Sequence, residues 1–220
     1  MICERFEVIN FIIDKYNLIN PNYLEIGVQW GNTISRINTN NKDGVDPDIY
    51  GCNCPFVNYK MTSDEFFEKN ISKKYDIIFV DGLHTAYQVT VDIYNSIYNL
   101  NNGGWIILDD VYPHDESEQV PYYFYKKGAI PGDIWKAVYN IFDELLDMSE
   151  IFWFFPNTER GCIAFKLKSD NTKNIIIDSS IPTHVDGTKN LLAEGEWTKY
   201  SYKSDFQNYY DKIKQYTINV

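Results

Sequence analysis

The sequence is poor in basic residues and in cysteines. Its 220 residues hold 20 Lys and Arg against 31 Asp and Glu, which gives a formal net charge of −11. Nucleic acids and anionic membrane surfaces are bound mainly through Lys and Arg, so this balance argues against both partners. The four cysteines include one close pair, Cys52 and Cys54, which is too tight for a C-x-x-C zinc knuckle. We therefore expect reduced thiols in a cytoplasmic protein.

Long apolar runs, internal repeats and low-complexity tracts are missing as well. No stretch of about 18 apolar residues occurs, so we expect no membrane-spanning helix. The first residues carry the charges of Glu4, Arg5 and Glu7, unlike the apolar core of a signal peptide. The hydrophobic fraction of 44% is enough for one α/β domain with a large core. We predict such a domain over residues 1–167, opening with a helix, and a C-terminal extension over residues 168–220 that packs on it.

A glycine turn near the N-terminus is the first functional signal. Residues 22–33 predict a buried strand, a tight turn and the start of a helix, with Glu25, Gly27 and Gly31 in the spacing E-x-G-x-x-x-G. A glycine turn that leads into a helix N-terminus points backbone N–H groups at a ligand, and Thr33 suits that helix start. The spacing is neither the dinucleotide fingerprint nor a P-loop, and no Lys follows the second glycine. A purely structural turn remains the alternative.

Strands and helices alternate along the chain, which predicts an α/β fold with a parallel sheet. The strongest strand is the apolar run from Ile77 to Val80, because strands buried on both faces are continuously apolar. The short connection between residues 151–155 and 162–167 predicts an antiparallel hairpin at the end of the sheet. A long loop over residues 111–131, with an aromatic run from Tyr122 to Tyr125, predicts a lid or substrate-binding segment.

Polar residues at the predicted strand ends are candidates for nucleoside binding. Asp46 follows the second strand, where a carboxylate can accept hydrogen bonds from both hydroxyls of a ribose. Asp43 and Asp48 compete for this role, and a simple Asp-Pro turn is the alternative. Ser63 is predicted to cap the next helix. Ser63 or Asp64 could instead reach an adenine amino group, and capping explains both residues equally well.

Three carboxylates and one imidazole follow the central strands. Asp81 ends the fourth predicted strand, and Asp109 and Asp110 end the fifth. Clustered carboxylates suit Mg²⁺ or another divalent cation. The alternative is that Asp110 caps a turn or binds the loop while Asp109 points elsewhere. His84, three residues after Asp81, is our candidate general base for an acceptor hydroxyl. His114 in the loop is the second choice, and His184 receives no role.

Several motifs occur together in a characteristic order. They are Tyr23-Leu24-Glu25-Ile26-Gly27, Gly44-Val45-Asp46-Pro47-Asp48, Met61-Thr62-Ser63-Asp64-Glu65-Phe66-Phe67, Val80-Asp81-Gly82-Leu83-His84, Gly103-Gly104 and Gly132-Asp133-Ile134-Trp135-Lys136-Ala137. From about residue 20 to residue 167 the chain resembles the class I S-adenosylmethionine (SAM) methyltransferases, in the branch of small-molecule and sugar O-methyltransferases that includes macrocin O-methyltransferase. The resemblance implies a Rossmann-like fold with a seven-stranded, mostly parallel sheet and an antiparallel C-terminal hairpin.

The resemblance also implies roles for the candidate residues. Glu25, Gly27 and Gly31 would surround the methionine part of SAM. Thr33 and Asp81 would also bind the cofactor, and Asp81 would be catalytic together with His84. Asp46 would bind the ribose, and Ser63 with Asp64 the adenine. Asp81, Asp109 and Asp110 match the Mg²⁺ ligands of the macrocin type. Those enzymes place an acidic base two residues after the first metal ligand, but this chain has Leu83 there, which favours His84 as the base. Many members of the branch whose motifs the chain shares have His-Asp at the positions of Asp109-Asp110, so the resemblance does not by itself imply a metal.

The sequence thus predicts a cytoplasmic SAM-dependent O-methyltransferase that acts on a small hydroxylated acceptor. A sugar, a nucleotide-sugar or a glycan precursor is the first choice, and the oligomeric state, including a homo-oligomer, is left open. A nicotinamide-dependent oxidoreductase with a Rossmann-like fold is the first alternative, which the single E-x-G-x-x-x-G disfavours. A non-catalytic binding protein that keeps the SAM fold is the second. The acidic charge and the lack of an N/D-P-P-Y motif disfavour methylation of DNA or RNA.

Overall fold

A computed structural model describes residues 3–48, 51–70, 72–119, 132–169 and 202–219. In these residues one mixed sheet of six strands has the order β2-β1-β3-β4-β6-β5. The strands are β1 (Tyr23–Ile26), β2 (Lys42–Val45), β3 (Tyr75–Val80), β4 (Leu100–Leu108), β5 (Ser149–Phe155) and β6 (Cys162–Leu167). Strands β1 to β4 run parallel, and the hairpin of β5 and β6 joins β4 antiparallel, as predicted.

Helices cover both faces of the sheet, because side chains alternate between the faces of a strand. They are α1 (Arg5–Lys15), α2 (Ser63–Lys69), α3 (Ala86–Asn99), α4 (Ile134–Asn140), α5 (Phe142–Met148) and α6 (Gln207–Ile213). One face packs α1 against Ile77 and Phe79 of β3, and the other packs α3 against Ile78 and Val80. The continuous apolar run of β3 is therefore explained by helices on both sides.

The strand register brings three chain segments to one edge of the sheet. Ile26 of β1 pairs with Val80 of β3, and Val80 pairs with Leu108 of β4. The residues that follow these pairs, Gly27, Asp81 and Asp109, consequently leave the sheet side by side. This is the carboxyl edge, where open α/β sheets bind their ligands.

The composition of residues 56–61 predicts a third strand, but these residues do not form one, so the described sheet has six strands and not seven. The segment makes a single parallel bridge, between Val45 and Tyr59. Backbone N–H groups of Asn58 and Tyr59 both donate to the Gly44 carbonyl, while the Asn58 side chain accepts from the Gly44 N–H. Because that side chain occupies the N–H that would continue a β-ladder, the segment lies beside β2 without extending the sheet.

Three helix predictions also change. The helix expected after Gly31 is one 3₁₀ turn, Ile34–Arg36. The sequence predicts one helix from residue 132 to about residue 146, but the structure divides it at Ile141 into α4 and α5. The sequence also predicts a terminal helix from Ser204 to Tyr216 with Ser204 as its cap. The structure has instead a π turn (Tyr202–Phe206), α6 and a 3₁₀ turn (Lys214–Tyr216), so Ser204 lies inside a turn and is not a cap.

The C-terminal residues that the structure describes contact the sheet domain. The Tyr209 hydroxyl donates to the Val111 carbonyl at 3.1 Å, and Thr217 bridges to Phe154 at the edge of the sheet. The predicted aromatic run of the lid and His184 lie outside the described residues. Among the described helices, none combines the length and the apolar character needed to cross a membrane.

Candidate active site

The glycine turn after β1 is shaped by close contact with the loop after β3. Gly27 has φ +86°, and a Cβ atom at this position would lie 1.9 Å from the Asp81 carbonyl oxygen. Gly31 has φ +78°, and its Cβ would lie 2.6 Å from Cys54 Sγ. Both positions therefore need glycine for the packing of the chain on itself, before any ligand is considered. The turn brings the backbone of Gly27 against Asp81, the first residue of the candidate catalytic cluster.

Glu25 lies under this turn and not at its surface. Its side chain is buried, the Tyr23 hydroxyl donates to Oε2 at 2.5 Å, and burial raises the pKa of the carboxyl to about 8. Thr33 is also buried and makes no capping hydrogen bond with its side chain. Both residues are therefore part of the packing around the turn.

Asp46 joins the end of β2 to the glycine turn. Its Oδ2 accepts from the Gln29 N–H at 2.8 Å, and its Oδ1 accepts from the Asp48 N–H at 2.6 Å. The two competitors are engaged elsewhere, because Asp43 accepts from the Tyr75 hydroxyl at 2.8 Å and Asp48 pairs with Lys60 at 2.8 Å. Each Asp46 oxygen has a second lone pair, so its backbone contacts orient the carboxylate and leave acceptor capacity.

The N-cap of α2 is Thr62 and not Ser63. Thr62 accepts from the Glu65 N–H, and the Glu65 carboxylate accepts from the Thr62 N–H, which makes a reciprocal capping box. The prediction missed the cap by one residue because threonine and serine are both good caps. Ser63 and Asp64 turn inward, to a network that sequence reasoning missed.

That network is centred on Gln88 of α3. Its amide donates to Asp64 Oδ1 at 2.9 Å, to Asp92 Oδ1 at 3.2 Å and to Ser63 Oγ at 3.4 Å. Asp92 is fully buried, and burial raises the pKa of its carboxyl to about 7. The i, i+4 spacing of Gln88 and Asp92 was the only signal in the sequence, since it places both on one helix face. The network fixes α2 against α3 at the carboxyl edge.

His84 lies between two of the three candidate carboxylates. Its Nε2 is 3.1 Å from Asp81 Oδ1, and its Nδ1 is 3.3 Å from Asp110 Oδ2. Side-chain atoms of Asp81, His84 and Asp110 come within 4.8 Å of one another, so they could share an ion or a proton. Asp110 has φ +56°, a left-handed conformation that is uncommon outside glycine and frequent at functional sites.

The loop that carries His84 is held from the next element. A Cβ on Gly132 would lie 1.9 Å from the His84 carbonyl oxygen, so Gly132 lets the chain pass directly over it. Asp133 Oδ1 accepts from the Ala86 N–H at 2.7 Å, which secures the start of α3. The other histidine candidate, His114, is exposed and its ring lies 6.2 Å from that of Tyr112.

Asp109 points away from this pair. It is 1% exposed, its Oδ1 accepts from Cys162 Sγ at 2.9 Å, and its Oδ2 pairs with Arg5 Nε. Arg5 also reaches Asp81, with Nη1 at 3.3 Å from Oδ2. Burial lowers the pKa of the Arg5 guanidinium, but the Asp81 and Asp109 carboxylates outweigh this and raise it. Sequence reasoning found neither Arg5 nor Cys162, since both come from elements distant in the chain.

Comparisons with known proteins find similarity to methyltransferases. The α/β, Rossmann-like fold is shared with solved methyltransferase structures. Residues 24–111 match a family model described as "Methyltransferase domain" (Methyltransf_24). The chain is also 24% identical to the uncharacterized protein R132 of Acanthamoeba polyphaga mimivirus, over 62% of this chain and 80% of that protein.

Two solved structures share the fold at low sequence identity. One is the methyltransferase PaMTH1 of Podospora anserina, bound to S-adenosylhomocysteine (SAH), with a TM-score of 0.51 and 15% identity over 74% of this chain and 78% of that one. The other is a Staphylococcus aureus protein assigned as a caffeoyl-CoA O-methyltransferase. It has a TM-score of 0.50 and 18% identity over 76% of this chain and 85% of that one.

Proposed function

We propose that this chain transfers a methyl group from SAM to a hydroxyl of a small acceptor. The observation that carries the proposal is the His84 imidazole, held between Asp81 and Asp110 at the carboxyl edge, where the Asp81 backbone contacts the Gly27 turn. A proton acceptor next to a candidate cofactor turn is the arrangement that O-methylation needs.

The cofactor would lie across the carboxyl ends of β1 and β2. The backbone after Gly27 would contact the methionine part, and Asp46 would use its remaining lone pairs for the ribose hydroxyls. Ser63 and Asp64, at the start of α2, would lie on the adenine side. Glu25 and Thr33 would act through the shape of the turn, since both are buried beneath it.

The chemistry is an in-line displacement at the methyl carbon. The acceptor oxygen forms the new C–O bond, the C–S bond breaks to leave SAH, and the hydroxyl proton passes to His84. An imidazolium can donate to both Asp81 and Asp110, whereas a neutral imidazole can donate to only one of them. The two carboxylates therefore stabilise His84 after it has taken up the proton. Before the transfer His84 is neutral, and one of its two carboxylate contacts is replaced by a contact with the acceptor hydroxyl. Positioning of the two reactants supplies the rest of the acceleration.

A sugar, a nucleotide-sugar or a glycan precursor is the acceptor class we propose. Carboxylate oxygens of Asp81 and Asp110 at the crevice suit the hydroxyl groups of a sugar, which donate hydrogen bonds. The net charge of −11 disfavours long polyanions such as nucleic acids.

The three-carboxylate magnesium site does not fit the observed contacts. Both oxygens of Asp109 are engaged by Cys162 and Arg5, and both oxygens of Asp81 by Arg5 and His84. The donor atoms that do converge are those of Asp81, His84 and Asp110. The mechanism above therefore relies on the side chains of the chain alone.

Calorimetric titration with SAH tests the cofactor, and NAD is the comparison ligand. We expect saturable SAH binding that Asp46→Ala weakens by about tenfold or more, since a hydrogen bond to a charged group contributes about 1.5–3 kcal/mol. Asp43→Ala is the matched control, because Asp43 faces Tyr75 and Lys73. Binding of NAD in place of SAH would favour the oxidoreductase, and binding of neither would favour a non-catalytic protein.

The base is tested by His84→Ala in an acceptor screen with labelled SAM. We expect methyl transfer to fall by about 10²–10⁴-fold, the usual contribution of a general base, with SAH affinity retained. His114→Ala, in the described part of the loop, is the control. Wild-type turnover by His84→Ala would remove the proposed base.

A further inference from the structure

A guanidinium occupies the position beside the carboxylates where the resemblance implies a metal ion. Arg5 Nη1 lies 3.3 Å from Asp81 Oδ2, and Arg5 Nε pairs with Asp109 Oδ2. One planar cation thus bridges the residues that end two adjacent parallel strands. Arginine is suited to this because its donors lie in a fixed plane and its charge persists at all working pH values.

Helix α1 places the guanidinium and keeps it there. Val8, Ile9 and Ile12 are fully buried against the sheet, so the helix cannot shift without exposing apolar surface. Its N-terminus is closed by a capping box between Glu4 and Glu7, and the Cys3 N–H donates to the Asn157 carbonyl at 2.9 Å. Arg5 stands in the first turn, 76 residues before Asp81 in the chain.

The contacts of the carboxylates leave little for a divalent cation. A cation held by Asp81 and Asp109 would have to displace Arg5 from both, and from Asp109 it would also compete with the Cys162 thiol. Asp109 is almost fully buried, and a water-carrying Mg²⁺ needs an accessible edge of its ligands. A divalent cation and the Arg5 guanidinium would also repel each other strongly if both lay beside these carboxylates in a partly buried crevice.

We infer that Arg5 replaces a divalent cation in this crevice and acts as a positioning residue for Asp81 and His84. The role given to Arg5 rests on the proposed methyltransferase function, whereas its contacts with Asp81 and Asp109 do not. Arg5 takes Asp81 Oδ2, which leaves Oδ1 for His84 Nε2. The carboxylate is thereby oriented, and part of the negative charge of the cluster is balanced without a metal. Methyl transfer is then independent of divalent cations.

The test compares cation binding in wild-type protein, Arg5→Met and Lys15→Met, each stripped with a chelator. Lys15 lies on the same helix, is exposed, and contacts the rings of Phe11 and Trp153, so its variant removes the same charge away from the crevice. Calorimetry with Mn²⁺ and Mg²⁺ should give no saturable heat for wild type or Lys15→Met. Arg5→Met should gain a saturable Mn²⁺ heat that is lost again in Arg5→Met/Asp81→Asn.

Two results would overturn the inference. One is saturable binding of Mg²⁺ or Mn²⁺ by wild type that Asp81→Asn removes. The other is the absence of cation binding by folded Arg5→Met, since removal of the guanidinium would then free no site. If Arg5→Met does not fold, the melting temperature of the wild type with and without Mg²⁺ tests the inference. A melting temperature that Mg²⁺ leaves unchanged supports it. A rise with Mg²⁺ that Asp81→Asn abolishes contradicts it.

SAH titration of the same samples separates this inference from the proposed function. If the wild type binds SAH and also binds a cation at Asp81, the methyltransferase proposal stands and the inferred role of Arg5 is wrong. Wild type that binds no SAH would end the cofactor proposal while the cation comparison remains valid. Arg5→Lys, which keeps a charge but cannot bridge two carboxylates in one plane, should exclude Mn²⁺ and lower methyl transfer.

Discussion

Replacement of Gly27 by alanine measures how closely the two central loops approach. The new Cβ would lie 1.9 Å from the Asp81 carbonyl oxygen, at φ +86°. A left-handed alanine costs about 1–2 kcal/mol, and forcing an extra carbon into a packed site costs about 1–3 kcal/mol more. We expect Gly27→Ala to lose about 2–5 kcal/mol of unfolding free energy, a large share of the roughly 5–15 kcal/mol that a domain has.

Gly51→Ala is the matched control for this prediction. Gly51 has φ +66°, and nothing lies within 4 Å of a Cβ added there. It should lose only the conformational part, about 1–2 kcal/mol. The effect of alanine on the unfolded chain is common to both variants and cancels in the comparison. Urea denaturation followed by tryptophan fluorescence gives both values. Equal losses in the two variants would refute the close approach, and with it the explanation of the turn.

Two further predictions concern a buried carboxyl and a helix cap. Burial raises the pKa of the Glu25 carboxyl from 4.5 to about 8, because the folded protein favours the neutral form. The contribution of Glu25 to stability is therefore fully present below about pH 4.5 and is lost as the pH rises through 8. Glu25→Gln should flatten the loss of unfolding free energy between pH 5 and pH 8, and a wild type that is equally stable across this range would contradict the shift. Thr62→Ala should cost about 1 kcal/mol in urea denaturation by removing the α2 cap. The cap assignment fails if Thr62→Ala leaves stability unchanged.

Local patterns were sufficient for much of this protein. The apolar run that ends at Val80 and the polar residue after it predicted β3 and the place of Asp81 at its end. The hairpin of β5 and β6 followed from a short connection between two apolar runs. These features are decided by nearest neighbours in the chain, since burial on both faces requires continuous apolar residues and strand ends require polar ones.

The predictions were less accurate where a side chain forms a hydrogen bond with the backbone. Residues 56–61 have the composition of a strand, but the Asn58 side chain takes the Gly44 N–H that a ladder would use. The cap of α2 fell on Thr62 and not on Ser63, because backbone geometry and not residue type chooses between two good caps. Propensity cannot distinguish such cases, as the competing hydrogen bonds involve residues outside the local window.

The contacts within the carboxylate cluster were decided by tertiary structure alone. The sequence placed Asp81, His84, Asp109 and Asp110 at one edge, because parallel strands end together there. It left open that Asp109 points elsewhere, but it did not identify Cys162 as the partner of Asp109 or His84 as the partner of Asp110. Nor did it show that Arg5, far away in the chain, would reach Asp81 and Asp109. Strand ends follow from local patterns, whereas the charge balance of the crevice depends on which distant helix packs over it.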